Sequence, residues 1–319
     1  MTGKRYDAVC IGTCLMDISV SGLDFDTFLT NEPNLASGIG YTVGGDAINE
    51  ATVLSKLGFS TCLLSRVGGD FVGRFLLESA TQVGIDVSHV ITDRNVPTAA
   101  NNILIGENDK RIYIISRNPT TRTELCGEDI PFDVLRSASL VSVGSIFVHP
   151  KLDNALAEIL RAARNAGAVT CTDVCPSGEE CSLEPLAEAM SYVDYFFANE
   201  GEARYLSKLT DPDDMADYFL GLGIGNVIIK FGIKGSLVKN TKERFFANAY
   251  PTKAVDTTGA GDCYAAGFMS GILRGLPLDQ CARIASATGA LAVRVVGATA
   301  GIVSVEQVDD FLRQQNVMM

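Results

Sequence analysis

The chain has 319 residues, 47% hydrophobic and 20% charged, with 26 basic against 38 acidic side chains and a formal charge of −12. That apolar content supports a substantial core in one large α/β domain or two ordinary ones. The negative balance opposes a nucleic-acid backbone or an anionic membrane as partner unless a basic patch is concentrated somewhere, and no Lys/Arg run supplies one.

No uninterrupted apolar stretch of about eighteen residues marks a membrane span. Met1 to Asp7 is polar and lacks the long apolar core of a signal peptide, so the expected location is the cytoplasm. The nine cysteines are odd in number and scattered. The densest group, Cys171, Cys175 and Cys181, lacks Cys-x-x-Cys spacing, and the chain has two histidines. The cysteines therefore read as reduced core residues and not as a disulfide framework or a zinc site.

Tyr6 to Ile11 reads as a buried first strand that Gly12 ends. Asp17 follows, a candidate for a ligand-facing loop or for a simple turn cap. Ser19 to Thr42 mixes short apolar runs with Gly, Pro and Asn, which suits short strands and turns. The Gly44-Gly45-Asp46-Ala47-Ile48-Asn49 turn then opens a helix whose face is Ala47, Ala51, Leu54 and Leu57 and whose stop is Gly58. Asp46 and Asn49 lie three apart at its start, so both can address vicinal hydroxyls; the alternative is that Asp46 caps the helix.

Thr61 to Val67 is expected to be one strand, and Val72 to Thr81 a helix leading to Gly84. Thr98 to Ile105 and Arg111 to Ser116 are β-like runs around a polar loop, Gly106 to Lys110, and form a hairpin outside the βα rhythm. After Pro131 the rhythm resumes, with strands near Leu140 to Val143, Ala168 to Thr172, Tyr195 to Ala198 and Val227 to Lys230 separated by amphipathic helical stretches. This alternation predicts a mostly parallel, three-layer α/β/α sheet that binds ligands at the strands' carboxyl ends. Asp173, Asn199, Glu202, Gly232 and Gly235 fall at or beyond such ends. Asn199 and Glu202, three apart, can aim at one hydrated cation.

The Asp256-Thr257-Thr258-Gly259-Ala260-Gly261-Asp262 turn opens an apolar helix. Its unpaired first amides and the helix dipole make an anion cradle, and Asp262 would stand beside the anion as a base for an attacking hydroxyl. The alternative is that Asp262 is a cap and the glycines only shape a turn. Asp279 to Val295 reads as an alanine-rich helix packed closely on a neighbour, and Val305 to Leu312 as a last helix. No P-loop pattern occurs, and Gly38-Ile39-Gly40 does not complete a dinucleotide fingerprint.

With these turns assembled, the chain resembles the ribokinase (PfkB) family of carbohydrate and nucleoside kinases over nearly its whole length. The resemblance implies one ribokinase-like domain over 1–319, with a small β lid from about 14–43 and 98–116. It implies that Asp262 deprotonates the acceptor hydroxyl while Gly259, Ala260 and Gly261 form the anion hole. Asp17, Gly44, Gly45, Asp46, Asn49 and the lid residue Asn101 would hold a small sugar such as fructose or ribose.

Asn199 and Glu202 match the family's Asn-x-x-Glu motif, which organises Mg2+ and phosphates through water. Lys230, Gly232, Gly235 and Thr257 are the further candidates for the ATP site. Asp256 and Thr258 stand where two ligands of a monovalent cation such as K+ would be, with carbonyls near Ala292 and Gly297. Asp173-Val174-Cys175-Pro176-Ser177 departs from the Asp-x-Asn-x-Arg of many sugar-specific relatives, since the Asn and Arg are absent. The rival readings are a nucleoside kinase, with a base wall at Ile146, Phe147 and His149, and a catalytically silent sugar sensor. A homodimer through exposed lid strand edges is also expected.

Overall fold

The computed structural model describes residues 4–30, 33–106, 110–115, 124–176 and 181–317. The first third contains β1 (Tyr6–Ile11), β2 (Leu15–Leu23), β3 (Gly38–Gly44), α1 (Asp46–Lys56), β4 (Thr61–Leu64), β5 (Arg66–Gly68), α2 (Phe71–Gln82) and β6 (Ile91–Asp93). The middle contains β7 (Ala100–Gly106), β8 (Arg111–Ile115), α3 (Phe132–Arg136), β9 (Ala138–Ile146), α4 (Pro150–Asp153), α5 (Leu156–Asn165), β10 (Val169–Val174) and α6 (Ala187–Met190). The last part contains β11 (Tyr195–Asn199), α7 (Glu200–Ser207), α8 (Pro212–Gly221), β12 (Asn226–Lys230), β13 (Ser236–Lys239), β14 (Arg244–Ala247), α9 (Ala260–Leu273), α10 (Leu278–Ala292) and α11 (Val305–Val317). Ser116, Arg117, Ser177 and positions 107–109 of the expected hairpin loop lie outside the described residues.

Eight strands form the main sheet in the order β14-β13-β12-β11-β10-β9-β1-β4. From β4 to β12 every pairing is parallel, and β13 and β14 add an antiparallel edge. Alternate residues of each strand enter different cores, as the two-residue period of a strand requires. Phe197 and Ile228 join Ala47, Leu54, Phe268 and Ala285 on one side. Phe196, Val227 and Ile229 join Leu156, Ile159, Met215 and Phe219 on the other. These are the two outer helical layers of a three-layer α/β/α fold.

A second sheet, in the order β3-β2-β7-β8, stands apart from the first. Its β2–β7 pair is parallel and sets Asp17 opposite Asn101. The expected strand Thr61 to Val67 is broken in two. Ser65 is buried and donates its hydroxyl hydrogen to the Gly12 carbonyl at 2.6 Å, after which β5 leaves the main sheet and pairs with β6. The antiparallel edge strands β13 and β14 were not among the sequence expectations; their short runs carry a weak signal beside the strongly apolar β11 and β12.

Candidate active site

The carboxyl ends of the main strands and one face of the small sheet enclose an open cleft of about 830 Å³. On its first wall, Gly45 turns the chain into α1 with φ +104°, and a Cβ there would lie 2.4 Å from the Thr13 carbonyl oxygen. Only glycine permits that close crossing. Gly44 is placed just as tightly, since a Cβ would lie 2.2 Å from Asp17 Oδ2. Asp17 accepts the Asn101 amide at 3.1 Å, and burial raises its pKa despite that bond.

Asp46 is the first helical residue of α1, not its cap. Its Oδ1 accepts the N–H groups of Ala47 at 2.7 Å and Thr13 at 3.3 Å, and its Oδ2 accepts the Ser145 hydroxyl. Burial first, and then the Asp262 charge, raise its pKa. Behind it, His149 Nδ1 accepts the Leu125 N–H at 3.3 Å, so the ring proton sits on Nε2, 3.2 Å from Thr13 Oγ1. Thr13 Oγ1 in turn donates to Ser145 Oγ at 3.2 Å. His149 lines the cleft, whereas Ile146 is fully buried in the core and Phe147 packs against that core.

On the opposite wall Gly259 precedes α9 with φ +69° and offers no capping side chain; the Ala260 N–H donates to the Thr257 carbonyl at 3.3 Å, and the amides of Gly261 and Asp262 that follow carry no side-chain cap. A Cβ at Gly259 would lie 2.5 Å from the Ala298 Cβ, and one at Gly261 would lie 3.1 Å from Lys230 Nζ. Asp262, in the first turn, accepts the Asn49 amide across the cleft at 2.7 Å. Burial raises its pKa against the lowering effects of Asn49 and the Lys230 charge. The Asn49 Oδ1 is buried and has no hydrogen-bond partner in the protein, so it remains available to a ligand hydroxyl.

Asn199 and Glu202 close a capping box at the start of α7: Asn199 Oδ1 accepts the Glu202 N–H at 2.9 Å, and Glu202 Oε2 accepts the Asn199 N–H at 2.7 Å. Both line the cleft, with Lys230 paired to Asn199 in the strand register. Burial raises the Glu202 pKa, partly offset by Lys230. Asp173, by contrast, spends one oxygen on the Ser145 N–H at 2.7 Å.

Asp256 and Thr258, the two residues expected to serve a monovalent cation, bond to each other and to Arg111. Asp256 Oδ1 accepts Arg111 Nη1 at 3.0 Å, the Thr258 N–H at 3.1 Å and the Thr258 hydroxyl at 2.8 Å, and its Oδ2 accepts the Gly297 N–H at 3.0 Å. Burial raises the Asp256 pKa, but those bonds outweigh it and hold the carboxyl below its usual value.

Of the expected residues, Asp17, Gly45, Asp46, Asn49, Asn101, Asn199, Glu202, Lys230, Gly232, Gly235 and Thr257 to Asp262 all line this cleft; Gly44 and Asp256 stand behind its surface. Sequence reading missed the apolar slot beyond Gly232, made by Ile233, Tyr250, Ser286, Gly289, Ala290 and Val293. Its helical part carried a signal, since 286, 289, 290 and 293 share one face of a helix. Sequence reading also missed Glu50, whose Oε2 accepts the Ser142 hydroxyl at 2.7 Å inside the core. Burial and then the Asp173 charge raise its pKa. Among the described residues no cluster of His, Cys, Asp and Glu suits a bound metal, all nine cysteines are free thiols, and no helix is long and apolar enough to cross a membrane.

This architecture is ribokinase-like. The Arabidopsis thaliana ribokinase solved with ribose and ATP superposes with a TM-score of 0.82 at 23% identity, covering 97% of this chain and 99% of that one. In sequence, the chain is 30% identical over 286 residues to the 2-dehydro-3-deoxygluconokinase of Bacillus subtilis, covering 86% of this chain and 88% of the relative. It is 33% identical over 266 residues to a nucleoside kinase of Methanothermobacter thermautotrophicus, covering 81% of each. The chain belongs to the pfkB family of carbohydrate kinases, whose family model matches residues 6–304. It is therefore a phosphotransferase with an alcohol group as acceptor.

Proposed function

We propose that this kinase transfers the γ-phosphoryl group of ATP to a primary hydroxyl of a small, uncharged sugar such as fructose or ribose. The observation that carries the reading is the Asn49–Asp262 hydrogen bond, which aims a half-buried carboxylate from the first turn of α9 at the cleft beside amides that no side chain caps. Asp262 accepts the hydroxyl proton as the oxygen attacks, and the amides of Gly259, Ala260 and Gly261, with Lys230, face the charge of the transferring group. The raised pKa of Asp262 makes it a better proton acceptor than an exposed aspartate.

Asp17, Asp46, Asn49 and Asn101 hold the acceptor's hydroxyls, and the aspartates on that wall disfavour an acceptor bearing negative charge. The small sheet acts as a lid on a single kinase domain spanning 1–319. The apolar slot around Tyr250 and Ala290 takes the nucleotide base. Glu202 keeps one carboxylate oxygen outside its capping bond and would hold Mg2+ through water, which neutralises phosphate charge when bound.

A nucleoside acceptor finds less support, because Ile146 is buried in the core, Phe147 packs against that core, and His149, although it lines the cleft, is itself buried. The test is ADP release with ATP, Mg2+ and a panel of sugars and nucleosides, repeated with Asp262→Asn. Turnover with a sugar is expected, and the variant should lose about 10²–10⁴-fold in kcat while still binding ATP. Near-normal turnover of the variant sinks the role of Asp262. Turnover with nucleosides alone overturns the acceptor class, and sugar binding without turnover favours a sensor.

A further inference from the structure

The cation position beside the anion hole is already filled by a side chain. Arg111 comes from β8, where it shares the cleft-facing side with Tyr113 and Ile115. Its Nη1 reaches Asp256 Oδ1 at 3.0 Å and the Thr258 hydroxyl oxygen at 3.1 Å, and the two charged side chains keep only 18% and 13% of their surface exposed.

The carbonyl oxygens near it already accept hydrogen bonds. The Val293 carbonyl accepts the N–H groups of Val255 at 2.7 Å and Asp256 at 3.2 Å, the Gly297 carbonyl accepts Ala300 N–H at 3.3 Å, and the Ala298 carbonyl accepts the Cys263 thiol at 3.2 Å. A monovalent ion placed against Asp256 would displace the guanidinium or lie beside it and be repelled. The residues present do not fit a bound K+.

We propose that Arg111 replaces the monovalent cation in this enzyme. As a positioning residue, its guanidinium neutralises Asp256, fixes the 256–259 turn and so aligns the first amides of α9, with no added alkali ion. A planar, permanently charged guanidinium suits the position because it can grip the carboxylate and the threonine oxygen together. The charge arrives on the small sheet, so aligning the phosphoryl-binding turn depends on the sheet being docked.

The inference rests on the kinase reading for its rate measurements but not for its binding measurement. With an acceptor from the panel above, turnover is compared in KCl, NaCl and choline chloride at equal ionic strength. The wild-type enzyme is expected to run equally in all three. Arg111→Ala should lose about 10–100-fold in kcat in choline chloride, with little change in KM for the acceptor, and regain part of it with KCl or guanidinium chloride. Arg111→Lys should keep its independence of added ions.

In parallel, the thermal midpoint is measured in KCl and in choline chloride. The wild type should not respond, and Arg111→Ala should be stabilised by K+. If no acceptor turns over, the kinase reading fails while this comparison still decides the inference. If Arg111→Ala does not fold, the wild type and Arg111→Lys carry the test. A wild-type enzyme activated or stabilised specifically by K+, or a fully active Arg111→Ala in choline chloride, overturns the proposal.

Discussion

Asn49 faces two ways: its amide nitrogen holds Asp262 and its oxygen is left buried and unpaired. The first contact lowers the Asp262 pKa, so its loss should have a definite direction. In Asn49→Ala the carboxyl loses a donor to its charged form and its pKa rises further. The base form then appears only at higher pH, and the acid limb of the kcat/KM profile should move upward, with a weaker KM for the acceptor as well. A pH–rate series on the variant checks this, and an unmoved acid limb would show that Asn49 does not tune Asp262. At this scale the sequence was informative wherever a residue belongs to a Gly-rich turn that opens a helix: Asp46, Asn49 and Asp262 were expected to face one ligand space, and all three line the cleft. Glu50 was not recognised, because a glutamate on an amphipathic helix normally reads as solvent-facing. Its spacing of four from Asp46 does put it on the same side of α1, and the Ser142 hydroxyl receives it there.

The helices α9 and α10 meet so closely that small residues are obligatory between them. A Cβ on Gly267 would lie 2.2 Å from Thr288 Oγ1, whose hydroxyl is itself held by the Cys263 carbonyl at 2.8 Å and cannot easily yield. Gly267→Ala therefore sets two effects against each other. Helix propensity favours alanine by about 0.8–1.0 kcal/mol, whereas forcing an extra carbon into a packed contact costs about 1–3 kcal/mol. Packing should win, leaving the variant up to about 2 kcal/mol less stable in urea unfolding. A stabilised variant would mean the helices can separate at little cost. The alanine-rich run made this contact legible in advance. The break at Ser65 was not legible, since it depends on a hydroxyl meeting the Gly12 carbonyl from a distant strand. The strands β13 and β14 were missed for a related reason: short antiparallel edges gain their identity from their neighbours and not from their own pattern.

For the whole molecule, the alternation of strands and helices from Pro131 to Lys230 carried the three-layer sheet, and the excursion of two β segments from that rhythm carried the second sheet. The pairing of Asp17 with Asn101 could not be read in advance, because it depends on the register of two strands far apart in the chain. That sheet leaves a surface consequence. Ile112 and Ile114 point away from the cleft, at 41% and 51% exposed, and Ile39 and Tyr41 on β3 are 61% exposed. An apolar face of this kind on an open sheet invites a second copy. We propose a homodimer through it. Light scattering should give twice the monomer mass, and Ile114→Glu should shift the population to monomer with α1 and α9 undisturbed. A strictly monomeric wild type at working concentration counts against the interface.

The lining of the cleft can be divided at the interval between Cys175 and Asn199. Thr13 to Cys175 supply one wall, and Asn199 to Val293 supply the other. Each wall is thus drawn from its own part of the chain, the first ending just after β10 and the second opening at Asn199, the end of β11. A crossover in the interval between them would exchange one wall whole and leave its counterpart untouched. The side-chain bonds that would then have to match across the joint include Asn49 with Asp262, Arg111 with Asp256 and Thr258, and Lys56 with the Thr299 carbonyl. In the proposed mechanism the first aligns Asp262 and the Arg111 contacts align the turn beneath it, so compatibility of the parents would be decided largely at these contacts.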